Sequence, residues 1–221
     1  MCTVDRSAPP RVDHDGDNLL SRRRFLRTGA VAAAASAAVG LLAPRTGSAA
    51  PPVRVNDHGG PVYPRIEVPN LAVGCSDETS TGLQELLRGH VTAVQLVWVG
   101  CSTTCPIQGA IFEMTQQLLG ARVGSDIRLL SISINPLEDS VADLHSWLAR
   151  FHAGAGWLAA RPAVEDLDVL QSAFGNTRDP LTSHSTQVQI VDRTARLVWR
   201  TNELPSPESI ADVLLAAAGP R

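Results

Sequence analysis

From Val91 to Val99 the chain is rich in Val, Leu and Trp and shows no helix-spaced polar face, and it runs directly into Gly100-Cys101-Ser102-Thr103-Thr104-Cys105-Pro106. Such a stretch describes a central strand covered on both sides. Gly100 permits a sharp turn, and Pro106 opens a helix, because the first helical position has no use for the N–H that proline lacks. Cys105 therefore falls at or near the helix N-cap, where unsatisfied N–H groups and the helix dipole favour an anion. A thiol there has its pKa lowered. The strand demands layers on both its faces, and the loop at its end carries two thiols.

The flanking pattern supplies those layers. Ser80 to Arg88 has Leu83, Leu86 and Leu87 at helical spacing, and Pro106 to Leu119 is helical with Ile107, Ile111, Met114 and Leu118 on one stripe. Ile127 to Ile134 reads as a second strand. Asp139 to Phe151 is a helix with Val141, Leu144, Leu148 and Phe151 on one face. Val164 to Phe174 is another, closing at Gly175. Val188 to Val191 and Arg196 to Trp199 flank a hairpin turn, and Ser206 to Ala218 is a last helix with Ser206 as N-cap and Pro207 at N1. A parallel pair joined by a helix and followed by an antiparallel hairpin is an α/β, thioredoxin-like arrangement. The expectation is a central mixed sheet flanked by helices, with an inserted helix before the final β-hairpin.

The N-terminal region reads as an export address. Ser21-Arg22-Arg23-Arg24-Phe25-Leu26-Arg27 precedes an uncharged run from Thr28 to Pro44, and Arg45 ends it. A basic region, a short apolar run and small residues at Gly47-Ser48-Ala49-Ala50 make a secretory signal, in its twin-arginine form. The run is short and rich in Ala and Gly for a membrane span, so cleavage after Ala49 is expected, with no stable span afterwards. The domain reading is 1–49 signal peptide, 50–69 tether with an edge strand near Tyr63 to Val68, and 70–221 a single folded domain. The expected compartment is periplasmic or its extracytoplasmic equivalent. All 19 basic residues are Arg, which excludes lysine Schiff-base and P-loop chemistry. Seven of those arginines and four of the 22 acids lie in the signal, which leaves 12 basic against 18 acidic residues. An acidic domain of this kind has no electrostatic basis for binding nucleic acid or anionic lipid.

Four cysteines are too few for a disulfide scaffold, and Cys2 leaves with the signal. Cys75 is read as a buried small hydrophobe. For Cys101 and Cys105 three chemistries fit the Cys-x3-Cys-Pro spacing: a structural disulfide, a dithiol redox couple and a soft-metal site. Two thiolates on an exposed rim suit Cu(I) above other common metals, and a site that also holds Cu(II) calls for a third ligand from elsewhere. Of the histidines, His58 lies in the tether, His90 precedes the strand at its far end, and His145 and His152 belong to the inserted helix and its end. His184 differs, because it directly precedes the hairpin, and in a thioredoxin-like fold that loop lies against the dithiol loop.

With these residues in place the chain resembles the Sco/SenC family, thioredoxin-like copper proteins of cytochrome c oxidase assembly. The resemblance spans roughly Val62 to Ala218 and rests on the Cys-x3-Cys-Pro loop, the strand end Ser131-Ile132-Ser133-Ile134-Asn135-Pro136 and the late histidine. It implies copper, as Cu(I) or Cu(II), bound by Cys101, Cys105 and His184. It also implies an acidic residue on the preceding helix, for which Asp168 is the choice. The implied function is a metallochaperone that delivers copper to an acceptor such as the cytochrome c oxidase subunit with the CuA site. The alternative is a thiol–disulfide oxidoreductase that uses Cys101 and Cys105 to reduce the acceptor's cysteines, itself served by a thiol–disulfide reductase partner. The chain departs from the family where Ser102 replaces a proline, Asn135 an aspartate and Ser183 an aspartate.

Overall fold

The computed structural model describes residues 59–76, 78–175 and 185–220. The export signal expected at 1–49, the part of the expected tether up to His58, and His184 lie outside the described residues. Eight strands and five helices follow one another as β1 (Gly60–Glu67), β2 (Ala72–Cys75), β3 (Ser80–Gly82), α1 (Leu83–Leu87), β4 (Val91–Val97), α2 (Thr104–Leu119), β5 (Ile127–Ser133), α3 (Val141–Arg150), β6 (Trp157–Pro162), α4 (Leu167–Phe174), β7 (Gln189–Val191), β8 (Arg196–Arg200) and α5 (Pro207–Ala218). The strands make one mixed sheet in the order β1-β8-β7-β4-β5-β6-β2-β3. Its centre, β4-β5-β6, is parallel, and the flanking pairs are antiparallel.

All seven residues of β4 are buried, as the polar-poor sequence from Val91 requires. Its side chains divide between two cores. Val91, Ala93 and Val97 pack with Phe112 and Leu119 of α2, Trp147 of α3 and Ile210 and Leu214 of α5. Val94 and Leu96 face the other way, against Leu83 and Leu87 of α1 and Leu170 and Phe174 of α4. The sheet is thus sandwiched between helix layers, with α2, α3 and α5 on the face that also buries Cys101 and Cys105. The helix α3 starts on a capping box between Ser140 and Asp143, and α5 starts on Ser206 with Pro207 at its first position. No helix among the described residues is long and apolar enough to cross a membrane.

The structure adds three strands to the sequence reading. The strand β6 ends in Arg161-Pro162 and carries two alanines, so it lacks the β-branched run that marks a buried strand. It pairs in parallel with β5, which makes α3 the crossover between two parallel strands. The strands β2 and β3 are short additions on the sheet's far edge. The segment expected as the inserted helix, Asp139 to Phe151, is α3, the ordinary crossover from β5 to the unexpected strand β6, and the helix directly before the β7–β8 hairpin is α4.

The stripe expected on α2 is corrected as well. Ile107, Met114 and Leu118 are exposed, and the buried face is Cys105, Gln108, Gly109, Phe112, Thr115 and Leu119. Close approach decides the facing. A Cβ on Gly109 would lie 2.3 Å from Phe151, whose ring joins Trp147 and Trp157 in an aromatic cluster. The helix therefore turns its small residue inward to reach the rings, and its long aliphatics outward. Gly109→Val is expected to lower stability by about 1–3 kcal/mol through overpacking. Ile107→Ser, on the exposed side, should stay within about 0.5 kcal/mol. Urea unfolding midpoints of the two variants check the facing, and the reverse order would restore the original stripe.

Candidate metal centre

The dithiol loop is built by β4 and finished by α2. After Val97, the Trp98 carbonyl accepts from the Cys101 N–H at 3.1 Å, and this closes a tight turn. The requirement at Gly100 is steric: a Cβ there would stand 2.9 Å from Trp98 Nε1 and 3.2 Å from its Cε2. The Trp98 N–H in turn donates to Cys105 Sγ at 3.5 Å. The helix α2 begins at Thr104, so Cys105 is its second residue, Pro106 its third, and Thr103 the N-cap. The Thr103 side chain makes no bond to the helix. Its hydroxyl instead shares a hydrogen bond with Cys101 Sγ at 3.4 Å.

The group that caps the helix is thus Cys101. Burial pushes its thiol up, but hydrogen bonds from the Thr103 hydroxyl and from the N–H groups of Cys105, Thr103 and Thr104 outweigh this and bring the pKa down to about 6. These are the amides that a helix start leaves without partners, and here they converge on one sulfur. Cys105 goes the other way. Burial, the charge on Cys101 and the nearby Asp139 carboxylate push its thiol up to about 12, against a lowering by the Trp98 N–H. This reverses the sequence expectation that Cys105 is the acidified thiol. Proline three residues into the helix, rather than at its first position, moves the capping point back onto Cys101. The two thiols are near enough for Cys101 to push the Cys105 pKa up, and they are not joined by a disulfide.

Behind the pair lies Asp139, only 3% exposed. Its Oδ2 accepts from the Ser133 hydroxyl at 2.6 Å and from the Val99 N–H at 3.3 Å, which ties the dithiol loop to the end of β5. Burial raises its pKa, partly offset by those two bonds and reinforced by Asp143 and Glu138. Sequence reading took Asp139 only as the start of a helix. The signal for it was its place four residues after Asn135, at the C-terminal end of a parallel strand neighbouring the thiols, where open α/β sheets build their sites.

The other sequence candidates separate. His184 lies outside the described residues, one peptide bond from Ser185, which is described. Asp168 is exposed in the first turn of α4, the helix that packs on the sheet face opposite the thiols. Cys75 is buried at 4% exposure within that opposite core. His152 Nδ1 pairs with Glu113 at 2.8 Å, and His90 bonds the Arg88 carbonyl at 3.3 Å, at the far end of β4. Among the described residues no three His, Cys, Asp or Glu side chains converge to hold a metal.

A mixed sheet with a parallel centre, a two-thiol loop at the end of its middle strand and a helix capped by the first thiol together define a thioredoxin-like dithiol protein. Residues 76–219 match the SCO1/SenC family model, and the chain belongs to that family. A SCO1/SenC family lipoprotein from Bacillus anthracis shares the fold at a TM-score of 0.61 and 17% identity, over 71% of this chain and 99% of its own. BsSco, a member of the Sco family of cytochrome c oxidase assembly proteins, does so at 0.61 and 20%, over 70% and 94%. Yeast Sco1 with copper bound does so at 0.54 and 15%, over 71% and 89%. A comparison with curated protein sequences finds no match.

The split between the thiols has a direct readout. In the reduced protein, alkylation of Cys101 by iodoacetamide is expected to be half-maximal near pH 6 and to fall as pH drops below it, because only the thiolate reacts. Cys105 should stay unmodified throughout the neutral range. Peptide mass spectrometry across a pH series checks this, and preferential labelling of Cys105 would invert the assignment.

Proposed function

We propose that this chain is an extracytoplasmic copper metallochaperone, exported by the twin-arginine route. Cys101 and Cys105 hold the ion with His184, and an acceptor such as the cytochrome c oxidase subunit with the CuA site receives it. One observation carries the reading: two unbridged thiols meet at the start of one helix, the first bonded to the N-cap Thr103 hydroxyl and the second in the helix's first turn. A pair of soft donors held side by side suits Cu(I), and an imidazole from a separate loop would extend the site to Cu(II). Family membership supports the reading, as do the copper-bound structures of yeast Sco1 and of Arabidopsis thaliana ScoI. The sequence reading expected both thiols on an exposed rim, whereas both are buried at the start of α2; ligand exchange with an acceptor needs a donor set that is not saturated by its own protein, and a set of two or three ligands meets that need.

A thiol–disulfide oxidoreductase is the second reading, favoured by the asymmetry of the two thiols. The Cys101 thiolate would attack one sulfur of the acceptor's disulfide and expel the other as a thiolate. Cys105, passing its proton to that leaving thiolate, would then attack Cys101 Sγ and release the second acceptor sulfur as a thiolate, which takes its proton from solvent. The chain would end oxidised and the acceptor reduced by two electrons, and a dithiol reductase partner would reset the pair.

Anaerobic titration of the reduced protein with copper tests both. One equivalent is expected, with thiolate-to-Cu(II) absorption that vanishes in Cys101→Ala. His184→Ala should weaken Cu(II) binding by about 100-fold or more, beyond what loss of an outer partner costs, while reduction of a model disulfide stays nearly intact. Equal loss of both activities would remove His184 from the metal set.

A further inference from the structure

Charge in this domain is sorted by the direction of the strands. The strands β4, β5 and β6 are parallel, and β8 runs the same way, because it is antiparallel to β7 and β7 is antiparallel to β4. Their C-terminal ends therefore gather at one end of the sheet, with the dithiol loop. Three bonds tie the segments there: Val99 N–H to Asp139 at 3.3 Å, Arg161 Nε to the Pro136 carbonyl at 3.0 Å, and the Ser185 hydroxyl to Glu203 at 2.8 Å. The segments that leave these strands expose Glu138, Asp143, Glu165, Asp168, Glu203 and Glu208. The bases of that end are Arg161, half-buried, and Arg200, buried in the last position of β8. The remaining described arginines lie towards the opposite end, at the starts of β4, β5 and β8, the end of α3 and the β7–β8 turn. Two of the acids found there, Asp126 and Asp192, are already paired with Arg122, Arg193 and Arg65.

Helix dipoles account for part of this sorting. Asp143 belongs to the capping box of α3, and Asp168 and Glu208 stand in the first turns of α4 and α5. They do not account for Glu138 and Glu203, which stand in loops, or for Arg65, Arg193 and Arg196 on strands and a turn. The first turn of α2, which carries Cys105, has no acid of its own. Among the acids of the thiol end, aliphatic side chains stand in water. Leu137 is 80% exposed, and Leu204 and Ile107, the latter two residues after Cys105, are each about half exposed. From Ile107 the exposed stripe continues along α2 through Met114 and Leu118. Such a face is small beside the ~800 Å² that each partner buries in a stable interface, which fits a brief encounter. Two copies of the chain would bring like charges together at this end.

We propose that the thiol end is a docking face for a partner protein whose own sulfur ligands sit in an apolar patch ringed by lysine or arginine. This rests on the reading that the dithiol passes its ion or its electrons to another protein. A molecule negative at one end and positive at the other turns as it nears a cationic surface, so that Cys101 leads. The charges set the rate and the orientation of the encounter, and Leu137, Ile107 and Leu204 supply the apolar contact once the water is displaced.

The probes are two synthetic peptides with one reduced Cys-x3-Cys pair among apolar residues, one peptide flanked by lysines and the other by glutamates. Stopped-flow mixing with the Cu(I)-loaded protein follows the ion from Cys101 and Cys105 to the two peptide sulfurs. At about 10 mM salt the lysine peptide is expected to receive copper about 10-fold faster or more. The advantage should vanish near 1 M, as the screening length falls from about 30 Å to about 3 Å. Glu138→Gln combined with Glu208→Gln should cut the advantage several-fold at unchanged Cu(I) affinity, whereas Arg150→Gln combined with Arg196→Gln changes it far less. Leu137→Ser should slow both peptides alike. The proposal is overturned by a glutamate peptide that is as fast, by an advantage that the Glu138 and Glu208 changes leave intact, or by an unchanged rate in Leu137→Ser. A dimer in sedimentation that Leu137→Ser abolishes also overturns it, because the face then belongs to a second copy. The same peptides in disulfide form report independently of copper, through the rate at which Cys101 Sγ attacks one peptide sulfur and expels the other as a thiolate. If copper does not pass but the lysine preference appears in this exchange, the copper reading falls and the docking proposal stands. If neither reaction occurs, both fall.

Discussion

The site depends on one interaction: the unpartnered amides at the start of α2 are satisfied by a sulfur. A helix start ordinarily recruits a Ser, Thr or Asp oxygen from its own N-cap residue. Here the N-cap is Thr103, yet its hydroxyl turns to Cys101 Sγ, and the amides of residues 103, 104 and 105 turn there as well. Helix stability and thiolate formation are therefore one equilibrium. This also explains the three-residue spacing between the cysteines. With Cys101 outside the helix and Cys105 in its first turn, the first thiol meets the amides of the helix start and the second is buried in the core beneath it. The helix dipole and the burial of Cys105 then separate their acidities in opposite directions.

The sheet holds this arrangement rigid from behind. Asp139 takes the Ser133 hydroxyl from the end of β5 and the Val99 N–H from the loop, so a single buried carboxylate links two parallel strands at the end where the thiols emerge. On the other side, Trp98 contributes its N–H to Cys105 and lies so close to Gly100 that no side chain fits there. The loop between β4 and α2 carries little backbone freedom of its own. The neighbouring Asn135, where the family resemblance expects aspartate, bonds Glu138 at 2.8 Å at the surface. The buried negative charge beside the thiols is thus left to Asp139.

Much of this was legible in the sequence, for reasons that also explain the failures. The β4 stretch announced itself because burial on both faces leaves it rich in Val and Leu, with only Thr92 and Gln95 polar, and the Cys-x3-Cys-Pro junction marked where it ends. The α2 stripe misled because Ile107, Met114 and Leu118 share a helical spacing as good as that of the buried residues. Hydrophobicity cannot reveal that Gly109 must face Phe151 at close range. The strand β6 was missed since alanines, Arg161 and Pro162 lack a strand composition, and what makes them a strand is the parallel partner β5. The two acidities were exchanged because a two-residue shift of the helix start, from Pro106 to Thr104, changes which sulfur meets the amides, and sequence places helix ends only to within a residue or two. Asp139 and Glu203 were passed over because an isolated acid near a helix start usually serves solvent or the helix itself. Their partners lie on other elements.

The resulting site is divided between two kinds of support. The sulfurs stand on the sheet and the first turn of α2, and their separation cannot change without disturbing the core shared with Phe112, Trp157 and Ile210. The region that leads to β7 is tied instead by polar bonds at the surface, through Glu203, Ser185 and Thr186. A carrier that must both hold a soft ion and surrender it benefits from this division. A rigid dithiol keeps two donors pre-organised and limits the reorganisation needed when an incoming thiolate replaces one of them.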